Sequence, residues 1–361
     1  MRHACSFALF ATFGRLPAAA APGKATKNLC AAAVVLPFNA TRPFDAAGRA
    51  SLARNPTCTA RFGEIRTVRG RQRERLTVGY SYYCDVHHLE HNVRLWNTFP
   101  AVILDHVHFL IVDDGSPDEA RAAPVVARNV EAASVTVVEI EQDLAWNIGG
   151  ARNLLFAVAP TDVIFVMDMD TFAPWELLEW AMGQLEPVRE SCLVINAFRR
   201  LAPRCPLPCP HPAVMLLTKL SYWHIAGCDE DLVGRYGGTD PLFRHKTSVM
   251  RSCTTTHAKN LGDMPFLQVI KRNIGPRKTK ANGNKKIGLV AAKINGTRPW
   301  ATSVLRFSWY VAFSTVPASA SVPAPTPVLV PAPTKATSGT PLLRRGAVSW
   351  WRRWITRRLR S

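Results

Sequence analysis

From residue 271 to residue 361 the chain contains no aspartate or glutamate, against 18 lysines and arginines. Acids are nearly as scarce at the other end, where residues 1–75 carry 13 Lys/Arg and 3 Asp/Glu. The formal net charge of +19 therefore belongs to the flanks, +10 and +18, and residues 76–270 are left with −9. An acidic centre repels phosphates unless a metal ion or backbone amides intervene. Nucleic acid is accordingly not expected as a partner of the central region. No apolar run reaches the roughly 18 residues that a membrane-crossing helix needs. The nine cysteines follow no repeated spacing, which argues against a disulfide framework. Cys205, Cys209 and His211 in "CPLPCPHP" lack a second ligand pair at zinc-finger spacing, so this stretch reads as a rigid proline-rich loop.

What is present falls into three parts. Residues 1–71 begin "MRHACSFALFATFGRLPAAAAPG", with a basic start, a short apolar stretch and small residues after it. That composition reads as a targeting or disordered Ala/Arg-rich segment, and points to the secretory pathway or an organelle if it is a signal or transit peptide. Residues 313–361 form a Pro/Ala-rich linker followed by "SWWRRWITRRLR", in which tryptophan alternates with arginine. This tail suits peripheral contact with an anionic membrane surface or a solvated, disordered end.

Residues 72–312 carry the patterned elements. Strand-like runs at 75–83, 107–114, 134–142, 162–170 and 191–201 alternate with helical patterns at 85–99, 149–159 and 174–185. The alternation predicts an α/β domain, with a Rossmann-like, mostly parallel sheet and helices on both faces. In such sheets ligands bind beyond the carboxyl ends of the strands. Four stretches stand where ligands are expected. "LIVDDGSPDEA" puts Asp113 and Asp114 at a strand exit, either as ordinary turn residues or as carboxylates for a nucleobase or ribose. "DLAWNIGGARN" brings Asn147, Gly149 and Gly150 to a helix start suited to phosphate, with the cation of Arg152 beside it. It lacks the GK[ST] ending of a P-loop and fits GxGxxG poorly. "VMDMDT" spaces Asp168 and Asp170 at i and i+2, so both face one side of a strand and can share an ion. Such oxygen ligands suit Mn2+ or Mg2+, which take further ligands from substrate phosphates. "GCDEDLVGRYGGTDPLFR" offers Asp229, Glu230 and Asp240 for acceptor binding and general base work, or as turn residues.

Together, and in this order, the four stretches resemble the family 2-type glycosyltransferases of GT-A fold, from about Leu76 to about Arg244. The basic stretch at 284–310 is similar to the C-terminal part of some members. The resemblance implies a strand-end aspartate, Asp113 or Asp114, on the nucleotide. It implies a divalent metal on Asp168 and Asp170 that holds the donor diphosphate, and Asp240 as the base of an inverting transfer to a glycan, protein or lipid acceptor. Asn147, Gly150, Arg152 and Asp168 would join in donor binding, and Asp229 and Glu230 in acceptor binding. The family's G-G-E-D reads "GGTD" here, so Thr239 stands where a glutamate often binds the acceptor. The alternative is a non-catalytic nucleotide-sugar-binding protein with basic tails on membrane or nucleic acid. A nucleotidyltransferase fits less well, because "YSYYCDVHHLE" has no Gly-rich, basic loop after the first strand.

Overall fold

The computed structural model describes residues 34–35, 67–144, 146–190, 193–199, 209–234, 237–249, 254–257, 268–269, 283–301 and 303–316. Of the leader expected at 1–71, residues 1–33 and 36–66 lie outside the described residues, as do residues 317–361 of the linker and tail expected at 313–361. The chain divides into two units, Met1–Pro317 and Ala318–Ser361, and the elements below all belong to the first.

Twelve strands are described: β1 (Val34–Val35), β2 (Leu76–Tyr82), β3 (Val107–Asp113), β4 (Ser134–Ile140), β5 (Val163–Asp168), β6 (Thr171–Phe172), β7 (Leu193–Arg199), β8 (Cys209–Thr218), β9 (Thr254–His257), β10 (Gln268–Val269), β11 (Ser303–Val304) and β12 (Trp309–Ser314). Eight form one sheet in the order β12-β4-β3-β2-β5-β8-β7-β9. Its middle, β4-β3-β2-β5, is parallel throughout. A further parallel pair, β7-β9, lies at one edge. The remaining three pairings, β12-β4, β5-β8 and β7-β8, are antiparallel. The expected α/β architecture is therefore present, with the parallel strands where the acids are.

The central strands are buried along their whole length, as a sheet covered on both faces requires. Helix α1 (Val86–Trp96) covers one face and buries Leu89, Val93 and Trp96, the stripe its sequence predicts. On that face Trp96 stacks on Phe109 with ring centroids 4.0 Å apart. Shorter helices follow, α2 (Ala101–Leu104) and α3 (Ala122–Asn129). Helix α4 (Ile148–Val158) covers the opposite face and is buried at all but its first residue. It lies so close that a Cβ on Gly79 would sit 2.3 Å from the Leu155 side chain. The remaining helices are α5 (Trp175–Gly183), α6 (Leu185–Glu190), α7 (Lys219–His224), α8 (Thr239–Val249) and α9 (Gly283–Ile294).

Two expectations change. The proline-rich loop gives way at Cys209 to β8. Its first residues pair with β7 only, Phe198 with Pro210 and Arg199 with Cys209, whereas β5 pairs only with 215–218. A proline can stand in a strand that is paired on one side. The expected domain limits of 72 and 312 are also narrow. Val68 is already buried and its N–H bonds the carbonyl of Val158 at 2.6 Å. At the other end β12 runs to Ser314, opposite Thr136 of β4.

Candidate active site

The carboxyl ends of β2, β3 and β5 lie side by side, with Tyr82 opposite Asp113 and Ser81 opposite Asp168. Asp113 and Asp114 are consecutive in an extended chain and so point to opposite faces. Asp113 turns inward. Its Oδ1 accepts from Ser116 N at 3.0 Å, its Oδ2 accepts from Ala122 N at 2.8 Å, and the residue is 1% exposed. It closes the loop ahead of α3, so the nucleotide contact expected of it is taken by its own backbone. Burial raises its pKa to about 6, even though these hydrogen bonds favour the ionised form.

Asp114 faces the site side of the sheet. Its Oδ2 accepts from Asn147 N at 2.7 Å, and its buried Oδ1 has no partner among the described residues. Burial pushes its pKa up to about 8, with the charge of Asp113 adding to the shift. Asn147 caps α4, its Oδ1 accepting from Gly150 N at 3.1 Å, while its buried Nδ2 likewise lacks a partner. The two groups stand together, and the Asn147 amide also favours the ionised form of Asp114, so they act on each other. The two glycines behave differently from expectation. A Cβ on Gly150 would lie 2.2 Å from Asn147 Oδ1 and 2.6 Å from Phe307. Gly149 faces Cys228 and Thr239. The missing side chain of Gly150 therefore admits protein, and this turn is not an open phosphate cradle.

Arg152 begins the next turn of α4 and is 2% exposed. Its Nη2 donates to Asp168 Oδ1 at 3.0 Å, and its Nη1 makes a short hydrogen bond to Asp240 Oδ1. Burial alone would lower its pKa, but the two carboxylates outweigh burial and keep it charged. The carboxylates are less enclosed, at 24% and 30% exposure, so the pair opens toward solvent above a buried cation. Burial raises Asp168 to about 6 against the opposing pull of Arg152. Burial also acts upward on Asp240, but Arg152, with Arg244 and His211, outweighs it and holds the acid below the usual carboxylate range. A site residue that the sequence placed in a loop also appears here: His211 Nδ1 lies 3.9 Å from Asp168 Oδ2 and accepts from Ala213 N at 3.2 Å. Asp240 and β8 are more than 20 residues from each other in sequence, and no local pattern relates them.

Asp170 follows the end of β5, half-buried, and pairs with no cation among the described residues. Among those residues no three His, Cys, Asp or Glu side chains gather into a ready-made metal centre. The donor set nevertheless fits an ion such as Mn2+ or Mg2+, which takes one or two carboxylates and completes its shell with water and substrate phosphate. Asp170 is uncommitted, and Asp168 gives only Oδ1 to Arg152.

Asp229 and Glu230 do not meet the acceptor expectation. They are 3% and 2% exposed. Asp229 Oδ2 accepts from Lys293 Nζ and from Ala301 N, both at 2.9 Å. Glu230 Oε1 accepts from Asn153 Nδ2 and from Leu305 N, both at 2.7 Å. Asp229 holds Lys293 and the amide of Ala301, and Glu230 ties the amide of Leu305 to Asn153 in the middle of α4. Lys293, Asn153 and the backbone amides that satisfy them carry no sequence signal of this role, because the contacts span 64 to 77 residues.

Residues 93–200 match a family model described as glycosyl transferase family 2. No curated protein matches the chain. Among solved structures the chain is similar to S. aureus TarS 1–349 in complex with UDP-GlcNAc, at 14% identity over 61% of this chain and 66% of that one, with a TM-score of 0.46. It is also similar to the mannosyltransferase PcManGT from Pyrobaculum calidifontis in complex with GDP-Man and Mn2+, at 17% identity over 70% and 72%, with a TM-score of 0.42. The chain spans just under two-thirds of the TarS 1–349 fragment.

Proposed function

We propose, from the match of residues 93–200 to the model described as glycosyl transferase family 2, that the chain moves a sugar from a nucleotide-sugar donor to an acceptor hydroxyl. The observation that carries this reading is the joining of Asp168 and Asp240 through the buried Arg152 at the carboxyl ends of the parallel strands, the same end of the sheet at which Asp114 follows β3. The family model covers two of these acids, and the fold brings in the third from α8.

Each residue has a physical task in the proposed reaction. The Asp114 carboxyl, which its raised pKa keeps protonated at neutral pH, and the Asn147 N–H would both donate toward a nucleobase edge that presents acceptors. Asp168 and Asp170 would hold the divalent ion, which when bound lowers the charge on the leaving diphosphate. Arg152 keeps Asp168 and Asp240 apart and correctly oriented, since it binds one oxygen of each. Asp240 would accept the proton of the acceptor hydroxyl as that oxygen attacks the anomeric carbon. Arg152 holds the Asp240 pKa low, so Asp240 is ionised at neutral pH but weakly basic, and proton transfer to it would gain as the hydroxyl becomes acidic on attack. Attack from the face opposite the leaving group would invert the anomeric centre. Thr239 is buried against Gly149, so the position of the family's glutamate offers no carboxylate to the acceptor. In this reading the acceptor is recognised elsewhere.

The test is a panel of nucleotide sugars, including the UDP and GDP donors, assayed for Mn2+-dependent hydrolysis and for thermal stabilisation of the protein. Stabilisation by one donor with hydrolysis supports a transferase. Stabilisation without hydrolysis under every condition identifies a binding protein, and no response to any donor rejects the reading.

A further inference from the structure

Asn92 lies in the middle of α1 and is 0% exposed. An amide is a poor choice for a buried helix position, since it has low helix propensity and loses its hydration. Its neighbours along the same face, Leu89, Val93 and Trp96, are apolar and would pack well against an apolar residue here. The amide instead reaches a single residue, Met169, at its carbonyl oxygen and, at 3.8 Å, its Sδ. Asn92 Nδ2 donates to the carbonyl oxygen of Met169 at 3.1 Å. Met169 is the residue between Asp168 and Asp170. The other end of the amide, Oδ1, is buried without a partner among the described residues. One turn earlier, His88 is fixed through Nδ1 to Asp85 at 2.6 Å, and its buried Nε2 also lacks a partner. Asn92 of α1 therefore faces the turn that follows β5.

The two aspartates are secured unequally. Asp168 is held through its side chain by Arg152 and through its carbonyl by Thr171 Oγ1 at 2.6 Å. Asp170 has no such tie among the described residues, and there its backbone sets its direction. The peptide joining residues 169 and 170 is the one whose carbonyl Asn92 holds.

We infer that Asn92 is a positioning residue: by gripping the Met169 carbonyl it fixes the peptide that joins Met169 to Asp170, and with it the direction in which Asp170 leaves the turn after Asp168. This rests on the proposed role of that pair at the donor. It does not touch the substrate. It acts as outer-sphere groups do in metal sites, where their loss weakens metal binding about 10–100-fold.

The experiment compares full-length wild type with Asn92→Leu, which keeps volume without the N–H, and with Asn92→Asp, which keeps shape and cannot donate while ionised. Three quantities are read: melting temperature, amide exchange across 168–172 in metal-free protein, and Mn2+ affinity by electron paramagnetic resonance. The expected result is exchange at 169–171 at least about 10-fold faster and Mn2+ affinity about 10-fold weaker, with exchange in the core strand β3 unchanged. If exchange at 168–172 stays as in wild type, the inference is overturned. If exchange quickens but Mn2+ affinity is unchanged, Asn92 is structural only, and the inference is again overturned. Asp168→Asn separates the two levels. Should wild type bind no Mn2+, or bind it equally with that substitution, the metal reading fails, and the exchange data alone decide whether Asn92 holds the turn. If Asn92→Leu does not fold, Asn92→Asp carries the comparison.

Discussion

The side chain of Arg152 joins Asp168 to Asp240, two residues 72 apart in sequence that share no element of structure. Removing the cation leaves two like charges facing each other. Arg152→Met should therefore lower stability by about 2–3 kcal/mol. That is less than the 3–5 typical of breaking a fully buried pair, because both carboxylates reach solvent. The urea midpoint measures it. Adding Asp240→Asn to Arg152→Met should recover part of the loss, and a double-mutant cycle with no coupling would reject the bridge.

Asp168→Asn and Asp240→Asn should separate binding from turnover. Asp168→Asn is expected to abolish the Mn2+ dependence of donor binding. Asp240→Asn should leave donor and Mn2+ affinity nearly unchanged and lower kcat by about 10²–10⁴-fold, the range for a positioned proton acceptor. Calorimetry and steady-state kinetics read the two effects. A wild-type kcat in Asp240→Asn would remove it as the base.

Asp114 gives a prediction with a definite sign in pH. Its folded pKa is about 8, raised first of all by burial, against an ordinary value of 3.8. Between those values the unfolded chain releases a proton that the native protein keeps. Stability attributable to this group therefore falls as pH rises from about 4 to about 8, and is flat outside that window. Asp114→Asn removes the titration and keeps an acceptor for Asn147 N. Its melting temperature should match wild type near pH 4 and exceed it at pH 8, with weaker nucleotide binding. A difference between the two proteins that does not change with pH would disprove the assignment.

Much of this was legible in the chain. The Val- and Ile-rich runs at 107–113, 134–140 and 163–168 became the buried parallel strands, and their terminal acids stood where the parallel-sheet rule puts ligands. The failures are physical and local. Asp113 and Asp114 are alike in sequence, and only the alternation of an extended chain sends one to the loop and the other to the site. Asp229 and Glu230 resembled site acids because they are acidic and follow a glycine. Their partners, Lys293 and the amides of Ala301 and Leu305, arrive from a segment more than 60 residues on. His211 was hidden because prolines on either side disguised a strand paired on one side only.

That distant clamp is itself testable. Lys293 is 2% exposed and bonds Asp229 at 2.9 Å and Asp231 at 2.7 Å. Lys293→Met leaves the buried Asp229 with two backbone amides and the more distant charge of Lys246, and should destabilise the domain by about 3 kcal/mol. Limited proteolysis should then cut within 283–316 before it cuts the central strands. Protection of that segment equal to wild type would show that the clamp does not hold it.

The position of β12 bears on how the protein is made. Strand β4 is complete at Ile140, but the strand that covers its open side begins at Trp309. At about 5–20 residues per second, the ribosome leaves that Val-rich edge uncovered for on the order of ten seconds. During this interval the edge is a template for a second nascent chain. The same late segment brings Phe307 to the start of α4, so the site is also finished only then. Yield of soluble protein should therefore follow elongation rate and temperature during expression, while the stability of the finished molecule does not depend on either.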